Sequence, residues 1–215
     1  MQHTKTALIE LLVHHQALLF GDFTLKSGRK CPYFINFGAL SSGKALAQLG
    51  QSYAEAILQQ APSFDVLFGA AYKGIPLVIA TVYALAQLGH DVAYAFNRKE
   101  AKDHGEGGQL VGSAVTNKRV LVIDDLITAG TAMRHSIELL QKSQAKIVGI
   151  TVAIDRGEKG QTTQSAMTEL AHEFTVPVMS ILSIHDIVAY LKAQGKNTTV
   201  QLIENYLKEY GGHSH

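Results

Sequence analysis

Along this chain the hydrophobic positions change period several times, and each change marks an element. The opening stretch, MQHTKTALIELLVHHQ, sets Leu8, Leu11 and Leu12 at helical spacing with polar residues between them, and Leu18 follows. That spacing predicts an amphipathic helix rather than the unbroken apolar run of a signal segment. Residues 21–38, GDFTLKSGRKCPYFINFG, break the pattern. Phe23 and Leu25 alternate with polar neighbours, residues 26–30 carry turn chemistry, and residues 33–37 are rich in aromatic and β-branched side chains. This is the pattern of a short irregular hairpin, set apart from the rest of the chain as a lid or annex.

From residue 42 the chain alternates helix and strand. Helices are predicted over 44–58, 76–88 and 130–143, and a final helical pair over 184–210. Short apolar runs at 65–68, 92–96, 120–123, 146–154 and 176–181 read as strands. Pro76 falls in the first turn of its helix, where a missing N–H costs nothing. Apolar strands separated by helices imply an α/β fold whose central, mostly parallel sheet is flanked by helices on both faces. Ligands of such sheets bind beyond the carboxyl ends of the strands, so the residues just after each strand carry the most information. We expect one domain over 1–215: residues 1–40 supply the N-terminal helix and a small hood, 42–185 the α/β core, and 186–215 the C-terminal helices and tail. The terminal GGHSH reads as a disordered tail.

Composition narrows the function classes. The 215 residues are 47% hydrophobic and 17% charged, enough to bury a full core. A net charge of +1 supplies no field toward nucleic acid or a membrane surface. No apolar run approaches the roughly 20 residues of a membrane span. The single cysteine, Cys31, rules out an internal disulfide framework and is read as a small buried apolar residue in a reducing compartment. These features predict a cytoplasmic protein with neither nucleic acid nor membrane as partner.

The richest chemistry lies in VLVIDDLITAGTA, residues 120–132. Four apolar residues form a buried strand, and Asp124 and Asp125 sit where it emerges. Residues 128–131 then open a helix whose Met133, Ile137 and Leu140 share one face. A helix N-terminus with free N–H groups and two hydroxyls binds phosphate readily. Two carboxylates beside a phosphate make sense if the ligand also offers hydroxyls or a bound Mg²⁺. A phosphorylated sugar meets both demands; a strand-end acid pair capping its own loops is the blander alternative. Residues 97–109, NRKEAKDHGEGGQ, contain one apolar side chain, Ala101, and so read as a mobile surface loop. Its three bases and His104 suit closure over a polyanion, although Glu100, Asp103 and Glu106 balance them. At Gly69-Ala-Ala-Tyr72-Lys73-Gly74 a strand end, a glycine-bracketed turn and a lysine at a helix start make a second, weaker anion site. Arg156 follows the strand that ends at Ile154, with its fork available to a carboxylate or to a surface salt bridge. Asp155 beside it reads as a residue that orients the loop.

VLVIDDLITAGTA resembles the phosphoribosyl diphosphate (PRPP) signature of the type I phosphoribosyltransferases, and RKEAKDHGEGG resembles the catalytic loop of the orotate phosphoribosyltransferases in particular. The resemblance runs over nearly the whole chain. It implies a glycosyltransferase (pentosyltransferase) that moves ribose 5-phosphate from PRPP to orotate, giving orotidine 5′-monophosphate and pyrophosphate in de novo pyrimidine (UMP) biosynthesis. By the same resemblance Asp124 and Asp125 bind the ribose hydroxyls, Thr128, Ala129, Gly130, Thr131 and Ala132 cradle the 5-phosphate, and Leu126 and Ile127 belong to the same PRPP-binding stretch. Tyr72, Lys73, Arg98, Lys99, Lys102 and His104 meet the pyrophosphate end, with Lys26 approaching from the hood. The catalytic set so implied is Lys73, Lys102, His104 and Asp125. Orotate falls to Phe34, Ile35, Thr128 and Arg156. Ile35 departs from a family pattern with two successive phenylalanines, keeping an apolar contact without a second ring. Mg²⁺ is implied as cofactor, held mainly through PRPP, with Asp124 or Asp125 reaching it through water and no direct protein ligand. The resemblance further implies a homodimer in which the 97–109 loop covers the partner subunit's site.

No side-chain nucleophile is needed for such a transfer: the base nitrogen attacks, and the protein supplies position and electrostatics. Two other readings use the same fold, a transferase for a purine base and a non-catalytic ligand sensor acting on DNA. A dinucleotide-dependent dehydrogenase is excluded because no GxGxxG turn follows an early strand.

Overall fold

The computed structural model describes residues 2–25, 28–102, 108–128 and 130–213, with the side chains of residues 2, 3 and 99–102 outside that description. Helix α1 (Gln2–His14) leads into strands β1 (Leu18–Thr24) and β2 (Lys30–Ile35), which pair antiparallel from Leu18↔Ile35 to Thr24↔Lys30 as the predicted hairpin. A 3-10 turn at Phe37–Ala39 precedes α2 (Gly43–Gln60), β3 (Val66–Gly69), α3 (Gly74–Gln87), β4 (Ala93–Lys102) and β5 (Gly108–Gly112). The chain continues through β6 (Arg119–Leu126), α4 (Thr131–Lys142), β7 (Lys146–Asp155), α5 (Ala166–Phe174), β8 (Val178–Ser183), α6 (Ile184–Ala193) and α7 (Asn197–Tyr210).

Six strands form one sheet in the order β5-β4-β3-β6-β7-β8. All neighbours run parallel except β4 and β5. The alternation of side chains along a strand divides the core into two halves. On β6, Leu121 and Ile123 turn toward α1, α2, α3, α6 and α7, while Val120 and Val122 turn toward α4 and α5. Both faces are covered, so the strand reads as a continuous apolar run, as a buried parallel strand should. The predicted stripe on α4 is realised too: Met133, Ile137 and Leu140 are all buried against the sheet. Cys31 is free and buried among apolar neighbours.

Three expectations need correction. Residues 97–102 are not loop: they extend β4, and β5 returns antiparallel from Gly108, with a register shift between Asn97 and Lys102. A polar segment can do this at a sheet edge because pairing there needs only backbone groups. Helix α5 went unassigned in the sequence. It is nine residues long, opened by Ser165, whose side chain accepts from Thr168 N. The tail is not disordered through residue 213. Gly212 N donates to Gly157 O at 2.9 Å, and Ser165 N to His213 O at 3.1 Å, so the chain end is strapped onto the segment after β7. Here the two glycines permit close backbone approach: a Cβ on Gly211 would lie 2.3 Å from Leu207 O, and one on Gly212 2.5 Å from Ser165 N.

Candidate active site

The carboxyl ends of β3, β6 and β7 lie side by side, with Gly69 paired to Ile123 and Leu126 to Ile154. At the end of β6 the two acids take different surroundings. Asp125 is buried; its Oδ2 accepts from Lys73 Nζ at 2.9 Å and its Oδ1 from Leu126 N at 2.9 Å. Asp124 is half-buried and accepts on Oδ1 from Asp125 N at 2.9 Å. Burial, and after it the neighbouring charge of Asp125, push the Asp124 carboxyl up to about 7. The backbone beneath them is held by Tyr53 of α2, whose hydroxyl donates to Asp124 O at 2.6 Å. Burial keeps that phenol well above its ordinary range, so it remains a neutral donor.

Lys73 reaches Asp125 because the turn before α3 is folded tightly onto β3. A Cβ on Gly69 would lie 2.2 Å from Gly74 O, so only glycine permits the approach. The same turn is held from β4, where Asn97, itself buried, accepts on Oδ1 from Ala71 N at 2.8 Å. Between these elements lies a cleft of about 380 Å³ whose walls include Tyr72, Lys73, Asn97, Asp124, Asp125 and His135. A second cavity of about 260 Å³ meets it at Lys73 and Asp125 and runs between Phe37, Leu49 and Leu77.

The other sequence-predicted residues distribute around this edge. Gly130 takes φ +76° and starts α4, with Thr128, Thr131 and Ala132 exposed beside it. Leu126 is half-buried at the strand end. Ile127 turns its side chain into the core, leaving its backbone to any ligand. Tyr72 is exposed at the cleft wall. Arg98 donates from Nη1 to Gly108 O at 3.3 Å, tying the two arms of the β4–β5 hairpin together. The side chains of Lys99 and Lys102, and residues Lys26, His104 and Ala129 entirely, lie outside the described residues. On the hood, Phe34 is exposed and stacks on Phe23 with ring centres 5.6 Å apart. Ile35, one residue on, faces the opposite way and is buried in the core. Any contact Ile35 makes with a ligand therefore falls to its backbone.

Arg156 stands just past β7 and is buried. Its Nε and Nη2 both donate to Glu158 Oε1, at 2.9 and 2.5 Å, and its guanidinium carbon sits 4.9 Å above the Tyr33 ring. Burial alone would lower its pKa, but Tyr33 and Glu158 reverse this and hold it above the ordinary arginine value. Tyr53, Asn97 and Glu158 were not singled out in the sequence. Only Asn97 had a signal there, standing directly after a predicted strand.

Residues 37–178 match the phosphoribosyl transferase domain. The orotate phosphoribosyltransferase of Vibrio cholerae is 50% identical over 214 residues, covering 98% of this chain and all of that protein. The chain belongs to the orotate phosphoribosyltransferase family. The Legionella pneumophila (strain Paris) member is 48% identical over 211 residues, 98% of this chain and all of its own length. A 1.9 Å crystal structure of the Francisella tularensis enzyme superposes with TM-score 0.87 at 42% identity, covering 95% of this chain and 99% of that one. A Mycobacterium tuberculosis orotate phosphoribosyltransferase solved with PRPP shares the fold alone, at TM-score 0.64 and 23% identity over 85% of this chain and 98% of its own. The architecture is thus the type I phosphoribosyltransferase fold with a small antiparallel hood.

Proposed function

We propose that the protein transfers the phosphoribosyl group of PRPP to orotate, releasing pyrophosphate, in the cytoplasm. The observation that carries this reading is the bond from Lys73 Nζ to Asp125 Oδ2, which joins the β3 turn and the β6 acids in one cleft. A sugar with vicinal hydroxyls suits the acids, the exposed start of α4 suits its 5-phosphate, and Lys73 suits the diphosphate. The donors also fit Mg²⁺. Asp124 and Asp125 bring hard carboxylate oxygens to the cleft wall. When bound with PRPP, Mg²⁺ would offset the diphosphate's charge.

Bond cleavage at the anomeric carbon builds positive charge on the ribose and negative charge on the leaving group. We assign Lys73 to the latter, together with Arg98, Lys99, Lys102 and His104 of the 97–109 segment. The Asp124–Asp125 pair is read as the ribose side, where carboxylate oxygens favour developing positive charge. A second copy of the chain fits the exposed apolar stripe of Ile79 and Tyr83 on α3 and Tyr94 on β4. We read this face as the homodimer interface, with the 97–109 segment of each subunit serving the partner's cleft. Cys31, buried and unpaired, suits the reducing cytoplasm.

The deciding experiment follows orotate's ultraviolet absorbance after addition of PRPP and Mg²⁺, with uracil and hypoxanthine as parallel bases. Loss of the orotate band that needs both PRPP and metal is expected. Product from another base and none from orotate would overturn the acceptor while keeping the PRPP site. PRPP binding with no turnover of any base would overturn the reaction itself.

A further inference from the structure

Resting on the reading that Arg156 meets the acceptor's carboxylate, we propose that Glu158 is the residue that positions it, and that the C-terminal helix α7 belongs to the acceptor site through this glutamate. Glu158 is buried, and its Oε1 gathers donors from three separated parts of the chain. Arg156 Nε and Nη2 come from the segment after β7, Tyr33 OH from the hood at 3.1 Å, and Tyr206 OH from α7 at 3.0 Å. The Tyr33 and Tyr206 rings meet edge to face at 5.9 Å, and Arg29 Nη2 stands 3.7 Å from the other carboxylate oxygen.

This arrangement solves a specific problem. A buried guanidinium needs a partner, yet a guanidinium fully consumed by partners has nothing left for a ligand. Glu158 engages two of the three guanidinium nitrogens on one oxygen. Nη1 takes no hydrogen-bond partner among the described residues. The arginine is therefore fixed in plane by Glu158 and Tyr33, with Nη1 not consumed by a protein acceptor among the described residues. Two tyrosine hydroxyls then fix the glutamate, one from the hood and one from α7. The strap at Gly211–His213 holds the same segment, since Lys159 N donates to Tyr210 O and Gly212 N to Gly157 O, each at 2.9 Å. Acceptor recognition thus depends on α7, whose Tyr206 lies 48 residues downstream of Glu158 and is assigned no ligand contact.

The test compares affinity for orotidine 5′-monophosphate with affinity for uridine 5′-monophosphate, which differ only in the carboxylate, in the full-length protein with each variant's thermal unfolding recorded alongside. Arg156→Ala should collapse the preference for the carboxylated nucleotide. E158Q should lower it about tenfold, the value of one charge-assisted hydrogen bond, and raise the KM for orotate while leaving the KM for PRPP within about twofold. Y206F keeps the ring and its packing, so it tests the same contact even if E158Q does not fold; it should lower the preference about threefold. If Arg156→Ala reduces the preference but folded E158Q and Y206F retain the wild-type ratio, the positioning role is overturned and the Arg156 reading stands. If Arg156→Ala itself keeps the wild-type ratio, the Arg156 reading falls and this inference with it. Parallel loss of affinity for both nucleotides in E158Q and Y206F would reduce Glu158 to a folding element.

Discussion

In the free protein the Asp124 carboxylate ionises against burial and against the charge of Asp125. Its folded pKa, pushed up to about 7, lies above the ordinary 3.8. Between those values the native state holds a proton that the unfolded chain has released. Stability therefore falls as pH rises from about 4 to about 7, and the penalty is complete above 7. Three pH units correspond to about 4 kcal/mol at the limit. Water in the cleft screens this, so about 1–2 kcal/mol is the reasonable size.

Asp124→Asn removes the charge and keeps an oxygen able to accept from Asp125 N. The variant should be more stable than wild type by about 1–2 kcal/mol in urea unfolding at pH 8. The advantage should be smaller at pH 5, where more of the native carboxyl is protonated than at pH 8. The same variant should bind PRPP at least about tenfold more weakly, having lost a charged acceptor for a ribose hydroxyl. Stability and function thus oppose each other at one atom, as expected where a site is built around its ligand. An advantage equal at both pH values would mean that packing, not titration, is responsible. A variant less stable than wild type at pH 8 would refute the argument outright.

Lys102→Ala should cut turnover about a hundredfold or more with unfolding unchanged, and an unaltered rate would remove the leaving-group role. Subunits carrying Lys102→Ala mixed with subunits carrying Asp125→Asn should recover activity if the hairpin serves the partner's cleft; mixtures no more active than either parent would count against sharing. Gly50→Ala should destabilise by about 1–3 kcal/mol, because its Cβ would lie 2.4 Å from Ala80 O where α2 meets α3, and equilibrium unfolding measures this directly. Tyr53→Phe should cost about 1–2 kcal/mol by the same measurement, since the buried donor to Asp124 O is lost; no change would mean that this carbonyl finds another partner.

Which features were legible in the sequence depends on how far each interaction reaches along the chain. The strands β3, β6 and β7 and the stripe on α4 are local patterns imposed by burial, and they appear in the sequence as periods. Asp124, Asp125 and Arg156 stand next to those strands covalently, so the rule that ligands bind at carboxyl ends of strands picks them out. The supports of the site obey no such rule. Tyr53 lies 71 residues from the carbonyl it holds, and Tyr206 lies 48 from Glu158. Nothing on α2 or α7 distinguishes those tyrosines from ordinary core aromatics. Composition misled in two places for one reason. The polar arms of the β4–β5 hairpin and the Gly-Gly tail bury little side chain, yet both are held through backbone hydrogen bonds, to which side-chain hydrophobicity is blind. Asn97 marks the boundary between the two cases. It comes after Phe96, where the apolar strand pattern stops, and the strand-end rule applied there would have pointed to it. Its polar neighbours made the segment read as loop, which hid a buried residue that fixes the turn bearing Lys73.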